Sequence, residues 1–190
     1  CLIGCTLLLF AGWELIIIGA LCVLFAFLYT TGPYPLSYNG WGDVLVIIFF
    51  GFVPVGGTYY VQALTWTPDV TIASIICGLL IDTLLVVNNY RDREADARSG
   101  KRTVIVRFGE KFGRYFYLLL GISASLLCLY FLHEGHIYAA LLPQFYLVPH
   151  VLTWRRMVKI HSGKKLNSIL GETSRNMLFM GILLAIGMIL

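Results

Sequence analysis

Residues 1–87 contain no lysine or arginine, and the 190-residue chain as a whole is only 13% charged. Soluble domains carry about 25% charged residues, so this chain has roughly half the usual means of covering itself in water. That excludes a soluble protein with a large core. The five cysteines (Cys1, Cys5, Cys22, Cys77 and Cys128) form no C-x-x-C pair, and each lies in an apolar run. They read as small membrane-buried hydrophobes, neither disulfides nor metal ligands. There is no G-x-x-x-x-G-K-[ST] phosphate loop, no low-complexity run, no linker rich in Ser or Gln and no short repeat. The first apolar run has neither a basic n-region nor a small-residue cleavage site, so it is not a signal peptide. It opens on Cys1, already inside the run, which predicts a fragment cut within a membrane segment, with an upstream portion missing.

What is present is apolar length. The chain is 58% hydrophobic with a mean hydropathy of +0.81. A bilayer core takes about 20 apolar residues per helix, and that ruler divides the chain into runs at 1–11, 15–31, 44–66, 69–90, 115–132, 137–154 and 174–190. Lone strands with free edges cannot cross lipid. The expectation is therefore an all-α, polytopic transmembrane bundle of about seven helices, forming a single membrane-embedded domain over 1–190.

Charge sets the orientation. All 14 Lys and Arg fall within 91–114 and 155–175. Two helices separate those windows, so both emerge on one face, which the positive-inside rule makes cytoplasmic. Parity puts the loop 31–43 on the same side. The formal charge of +4 is local; it suits anionic lipid, or an anionic substrate arriving from the cytoplasm. A nucleic-acid partner is excluded, because no soluble basic face is available.

One basic window also holds acids. If the helix of 69–90 runs on past the membrane surface, Asn88, Asp92 and Asp96 fall at i, i+4 and i+8, and each step drifts only about 40° around the axis. Two carboxylates on one stripe repel unless a cation joins them. Mg²⁺ fits, since it takes one or two carboxylates and completes its shell with water and substrate phosphates. Around them stand Arg91, Arg93, Arg98, Lys101 and Arg102, a set that suits a diphosphate. The competing reading is a solvated helix end with pairs such as Glu94–Arg98. A calcium loop fails: "DREADA" has acids at positions one, three and five, but Ala97 replaces the required glycine and Thr103 the closing glutamate.

These residues carry a resemblance. "NNYRDREADARSGKRTVIVRFG" resembles the second aspartate-rich motif of the UbiA-type intramembrane prenyltransferases. It is most similar to the branch that prenylates 1,4-dihydroxy-2-naphthoate for menaquinone, with Asn88, Asn89, Arg91, Asp92, Asp96, Gly100, Lys101 and Thr103 matching. Upstream, "YTTGPYPLSYNGWGD" and "FFGFVPVGGTYYVQ" resemble that branch's loop and following helix. The similarity implies nine transmembrane helices in the family fold, this chain holding the third in part to the ninth. It places the family's first motif, N-D-x-x-D-x-x-x-D, before Cys1, so the fragment alone should be inactive.

The resemblance also implies a chemistry. Asp92 and Asp96 hold Mg²⁺, and Asn88, Asn89, Arg91, Lys101 and Arg102 bind the diphosphate of a polyprenyl diphosphate. Asp92, Asp96 and Lys101 are thereby the catalytic set. The tail lies among apolar helices of the cell's inner membrane, and the acceptor is prenylated at the cytoplasmic rim with loss of CO₂. Tyr59, Tyr60, Phe49, Phe50 and Phe52 are candidates for stabilising an allyl cation. Asp82, inside an apolar helix where insertion costs about 2.5–3.5 kcal/mol, is expected to face the interior toward the acceptor or a partner such as Gln62. Tyr34, Pro35, Tyr38 and Asn39 come to the rim as a gate. "HEGH", with His133 and His136, reads as a loop. Rival functions are prenylation of 4-hydroxybenzoate or homogentisate, or a transporter or scaffold binding lipid headgroups. Chain length and oligomeric state are not encoded in any motif.

Overall fold

The computed structural model describes Thr6 and residues 12–190. It consists of six helical rods and, among the described residues, no strand. We name them α1 (Glu14–Thr30), α2 (Gly42–Ala63), α3 (Pro68–Arg98), α4 (Val104–Leu132), α5 (137–160) and α6 (Lys164–Ile189). They match six of the seven apolar runs. The first run, 1–11, lies outside the described residues apart from Thr6, and so do Cys1 and Cys5. Four rods, α2, α3, α4 and α6, are long and apolar enough to cross a membrane.

Local chemistry sets the rod ends. The Thr67 side chain accepts from Val70 N at 3.3 Å and Pro68 occupies the first turn of α3, where its missing N–H costs nothing. α2 widens to π geometry over Ile47–Gly56, a stretch that contains Pro54, whose ring cannot sit in a regular ladder. That wide stretch hugs α3 because glycines face it. A side chain on Gly51 would strike the Ser74 carbonyl, and one on Gly78 would lie 2.9 Å from Ile47 Cα. Both obstacles are backbone and cannot yield. Gly78→Ala is therefore expected to destabilise the fold by about 1–3 kcal/mol, read as a lower unfolding midpoint in detergent; an unchanged midpoint would refute this packing.

The core lies among α3, α4, α5 and α6. One cluster joins Ile76 and Leu80 to Ala124, Cys128, Phe131, Tyr146 and Met180. The other, nearer the acids, joins Val86, Val87 and Tyr90 to Ile105, Tyr117, Met157 and Ile169. His150 is enclosed between the Tyr117 and Tyr146 rings, with Nδ1 2.9 Å from the Tyr146 hydroxyl. By contrast α1 buries no residue. Cys22, Cys77 and Cys128 are free thiols, Cys128 buried and the other two partly buried.

Three turns meet at one end. Arg102 N donates to Tyr38 O at 2.8 Å, joining the α3–α4 turn to the α1–α2 loop. His161 Nε2, in the α5–α6 turn, lies 3.0 Å from Glu110 Oε1 at the start of α4. The loop 31–43 and both basic windows thus share a face, as parity requires. The "HEGH" residues form the α4–α5 turn at the opposite end.

Candidate functional site

The site is built on the end of α3. Its 31 residues rise about 1.5 Å each, about 46 Å in all, against roughly 30 Å of hydrocarbon. The helix does continue unbroken through Asn88, Asp92 and Asp96, so the three stand on one face beyond the apolar stretch.

Gly100 then stops the helix. Its φ of +78° is the left-handed conformation that favours glycine. Gly100 N donates to Ala97 O at 3.2 Å and Lys101 N to Asp96 O at 2.9 Å, the paired bonds of a Schellman cap. That cap turns Lys101 back over the helix it has just left, and its Nζ lies 3.3 Å from Asp96 Oδ2. Thr103 caps the next helix by accepting from Val106 N at 3.3 Å. The G-K-R-T ending is therefore two helix caps with a lysine between them.

Asp92 is held by its neighbour. Arg91 donates from Nε to Oδ1 at 2.7 Å and from Nη2 to Oδ2 at 2.5 Å, and reaches Asn88 Oδ1 at 2.6 Å. Its Nη1 donates to Asn167 Oδ1 on α6 at 2.9 Å. The Asp92 side chain is 40% exposed, the Asp96 side chain 14%. Among the described residues no ion pair joins Glu94 to Arg98; the acids pair with Arg91 and Lys101 instead. These partners bear on the expected metal. The donors are hard carboxylate oxygens on one helix face, and each is satisfied by a side-chain cation. Such oxygens are of the kind Mg²⁺ takes, one or two at a time with water and phosphate completing its shell, and among the described residues no group of three or more His, Cys, Asp or Glu could hold a metal ion by itself.

The remaining expected residues are distributed as follows. Asn89 is buried and lines a small polar pocket with Tyr29, Ser37, Asp43, Lys101 and Thr103. The Arg102 backbone holds the α1–α2 loop. Tyr34 and Tyr38 are exposed on that loop at the rim. Phe49 and Phe50 line an apolar cavity of about 530 Å³ between α1, α2 and α3, together with Tyr29 and Leu85. Phe52 stacks on Trp66, with centroids 6.5 Å apart. Tyr59 lines a different cavity, of about 570 Å³, with Thr58, Gln62 and Asp69, toward the end of α3 away from the acids. Tyr60 is next to it on α2. Gln62 donates to Thr58 O at 3.2 Å and does not partner Asp82, which is fully buried and has no partner for either oxygen among the described residues.

Several contributors carried no signal in the motif reading. Arg107 donates to Asn39 O at 2.7 Å and to Arg102 O at 3.1 Å, clamping the loop. Gly40 admits that clamp, because a Cβ there would lie 3.0 Å from Arg102 O. Arg114 pairs with Glu110 and donates to the Tyr90 hydroxyl at 2.9 Å. Arg93 stacks over the Tyr90 ring at 4.6 Å. This network braces the root of the acid-bearing turn.

Comparison with known proteins adds the following. The profile of the UbiA prenyltransferase family matches residues 1–188. The 1,4-dihydroxy-2-naphthoate octaprenyltransferase of Escherichia coli (strain K12) is 40% identical over 124 residues, 65% of this chain and 39% of that one. Proteins of the same name from Haemophilus influenzae and Mycobacterium leprae are each 41% identical, over 111 and 120 residues. They cover 58% and 63% of this chain and 36% and 40% of theirs. The chain thus spans about two fifths of the length of these relatives. No solved structure matches it.

Proposed function

The chain belongs to the UbiA prenyltransferase family, and on that premise we propose that its protein transfers a polyprenyl group from a polyprenyl diphosphate to 1,4-dihydroxy-2-naphthoate. The products are CO₂, diphosphate and the reduced, hydroquinone form of demethylmenaquinone. The observation that carries this reading is the rim of α3, where Asp92 and Asp96 share one face and Arg91 and Lys101 fold back onto them. Carboxylates and cations in that mixture suit a metal-bound diphosphate better than a lipid headgroup, for which the acids would be repulsive. The naphthoate acceptor is supported by the names of the relatives.

In this reading Asp92 and Asp96 hold Mg²⁺, which when bound supplies positive charge against the leaving diphosphate. Arg91 and Lys101, released from the acids, contact the diphosphate oxygens, joined by Arg102. Asn88 and Asn167 keep Arg91 at the rim while Asp92 changes partner. Asn89 lies beneath Lys101 in the polar pocket. The prenyl tail runs down among the apolar helices, and Phe49 and Phe50 place aromatic faces along that path. Packing in the bundle excludes water from the allylic carbon.

The direct test supplies the full-length protein in membranes with a polyprenyl diphosphate, Mg²⁺ and one acceptor at a time. Prenylated product with 1,4-dihydroxy-2-naphthoate is expected; product only with 4-hydroxybenzoate or homogentisate would reassign the acceptor. Orientation is tested separately. We expect the rim to face the cytoplasm, so single cysteines at Ser99 and Ser162 should react with an impermeant thiol reagent from the cytoplasmic side alone. Labelling of the two from opposite sides would overturn the topology.

A further inference from the structure

Two carboxyl groups inside the helix packing carry buried oxygens that meet no donor among the described residues. Asp82 on α3 is 0% exposed, and neither of its oxygens meets a donor. Asp43 on α2 is 7% exposed, and its Oδ1 is likewise unpartnered. Asp43 shares a small polar pocket with Tyr29 on α1, and the start of α2, which carries Asp43, packs against α3, which carries Asp82. A buried, unpaired carboxylate is expensive, and two adjacent ones cannot both be charged. Packing does not require them, since α2 and α3 already meet through Gly51 and Gly78. An ionisable side chain kept at membrane depth is characteristically functional.

The surroundings indicate the ligand. Asp43 lines the small polar pocket that also contains Asn89 and Lys101, and Lys101 connects it to Asp96. Tyr29 lines both that pocket and the apolar cavity of about 530 Å³. Its hydroxyl is 3.5 Å from where a Cβ on Gly42 would sit, beside Asp43. An aromatic ring bearing a hydroxyl matches this junction, with the ring on the apolar side and the hydroxyl toward Asp43.

We propose that Asp43 is the proton acceptor for the ring hydroxyl of the aromatic acceptor, with Tyr29 orienting that hydroxyl and Asp82 as a positioning residue behind Asp43. The proposal rests on the prenyl-transfer reading above. The hydroxyl O–H gives its proton to the Asp43 carboxylate, and its electron pair enters the ring. A ring carbon then bonds to the allylic carbon as the C–O bond to diphosphate breaks, the pair leaving with diphosphate. When the carboxylate on that ring carbon departs as CO₂, its bonding pair restores the aromatic ring and the oxygen recovers the proton from Asp43. No proton is gained or lost overall. Because adjacent buried carboxyls share one negative charge, the pair retains room for the proton.

The test uses the full-length enzyme in membranes with Asp43→Asn, Asp82→Asn and Tyr29→Phe. Protection against thermal unfolding by inorganic diphosphate with Mg²⁺ reports the donor site independently of turnover, and all three variants should keep it. Asp43→Asn should lower kcat by about 10²- to 10⁴-fold with little change in acceptor KM. Its residual rate should rise about tenfold per pH unit as solvent hydroxide ionises the acceptor. The wild type should lack that rise, although Asp82, Tyr29 and Lys101 also face Asp43. Asp82→Asn and Tyr29→Phe should each lower kcat about tenfold. A kcat for Asp43→Asn near that of the wild type would overturn the proposal, as would a loss that does not respond to pH. Should Asp43→Asn fail to fold, an unchanged kcat in Tyr29→Phe overturns it equally. A wild type showing neither diphosphate protection nor transfer would instead sink the prenyl-transfer reading.

Discussion

Replacing Asp92 with alanine in the full-length protein is expected to lower prenyl transfer by about a thousandfold or more, with the protein still folded in the membrane. The two halves of that expectation have different causes. The fold should survive because the Asp92 side chain is 40% exposed and its bonds go to Arg91, on the same turn of α3. Arg91 keeps Asn88 and Asn167 after the loss. Exposed pairs of this kind contribute little to stability. On the proposed function turnover should collapse, because one of the two carboxylates assigned to the metal disappears, and with it charge that would face the leaving diphosphate. Asp96→Ala should behave alike, with Lys101 losing its partner. Asp92→Asn is the sharper variant, since it preserves shape and a bond to Arg91 while removing the charge. Near-normal turnover in either alanine variant, with Mg²⁺ saturating, would mean that these acids hold no metal.

The acid stripe was legible because it depends only on helix period. Once α3 continues past its apolar stretch, Asn88, Asp92 and Asp96 must share a face. Gly100, Lys101 and Thr103 were legible as a matched pattern, and the structure supplies the reason for it, a Schellman cap followed directly by an N-cap. Contacts between segments distant in sequence were not legible. The bond from Arg91 to Asn167 spans 76 residues and the one from Arg107 to Asn39 spans 68, and no periodicity announces either. Arg114 is remote from the acids along the chain, yet it is no free surface charge. It is only 25% exposed and bonded to Glu110 and Tyr90, because α4 packs back along α3. Asp82 showed itself by composition, as an acid in an apolar helix. Its neighbour Asp43 did not, because an acid at the start of a helix reads as ordinary N-terminal charge.

Lys101→Ala is expected to lower transfer by roughly 30- to 1,000-fold, the 2–4 kcal/mol typical of one preorganised charge contact at a reacting group. Lys101 is suited to that role by its backbone. The Schellman cap fixes where its side chain starts, and Asp96 holds the ammonium at the rim, where the proposed function puts the diphosphate. Arg102, the next residue, has its backbone N–H committed to Tyr38, so its side chain is also delivered to a fixed place, and Arg102→Ala should fall in the same range. Lys159 and Lys164 provide the control. Both are exposed, on the last turn of α5 and the first of α6, and alanine at either should leave transfer nearly unchanged. Arg114 cannot serve as a control, because its loss would also disturb the Glu110–Tyr90 network. If the basic residues served only to attract anionic lipid, each would contribute alike, at about 1 kcal/mol of surface affinity. Transfer from one fixed polyprenyl diphosphate, measured for the four single variants at matched protein levels, separates the cases. A large loss confined to Lys101→Ala and Arg102→Ala places the diphosphate beside the Schellman turn. Small, equal losses in all four would reduce the cluster to an orientation signal, and the diphosphate would have to be sought elsewhere.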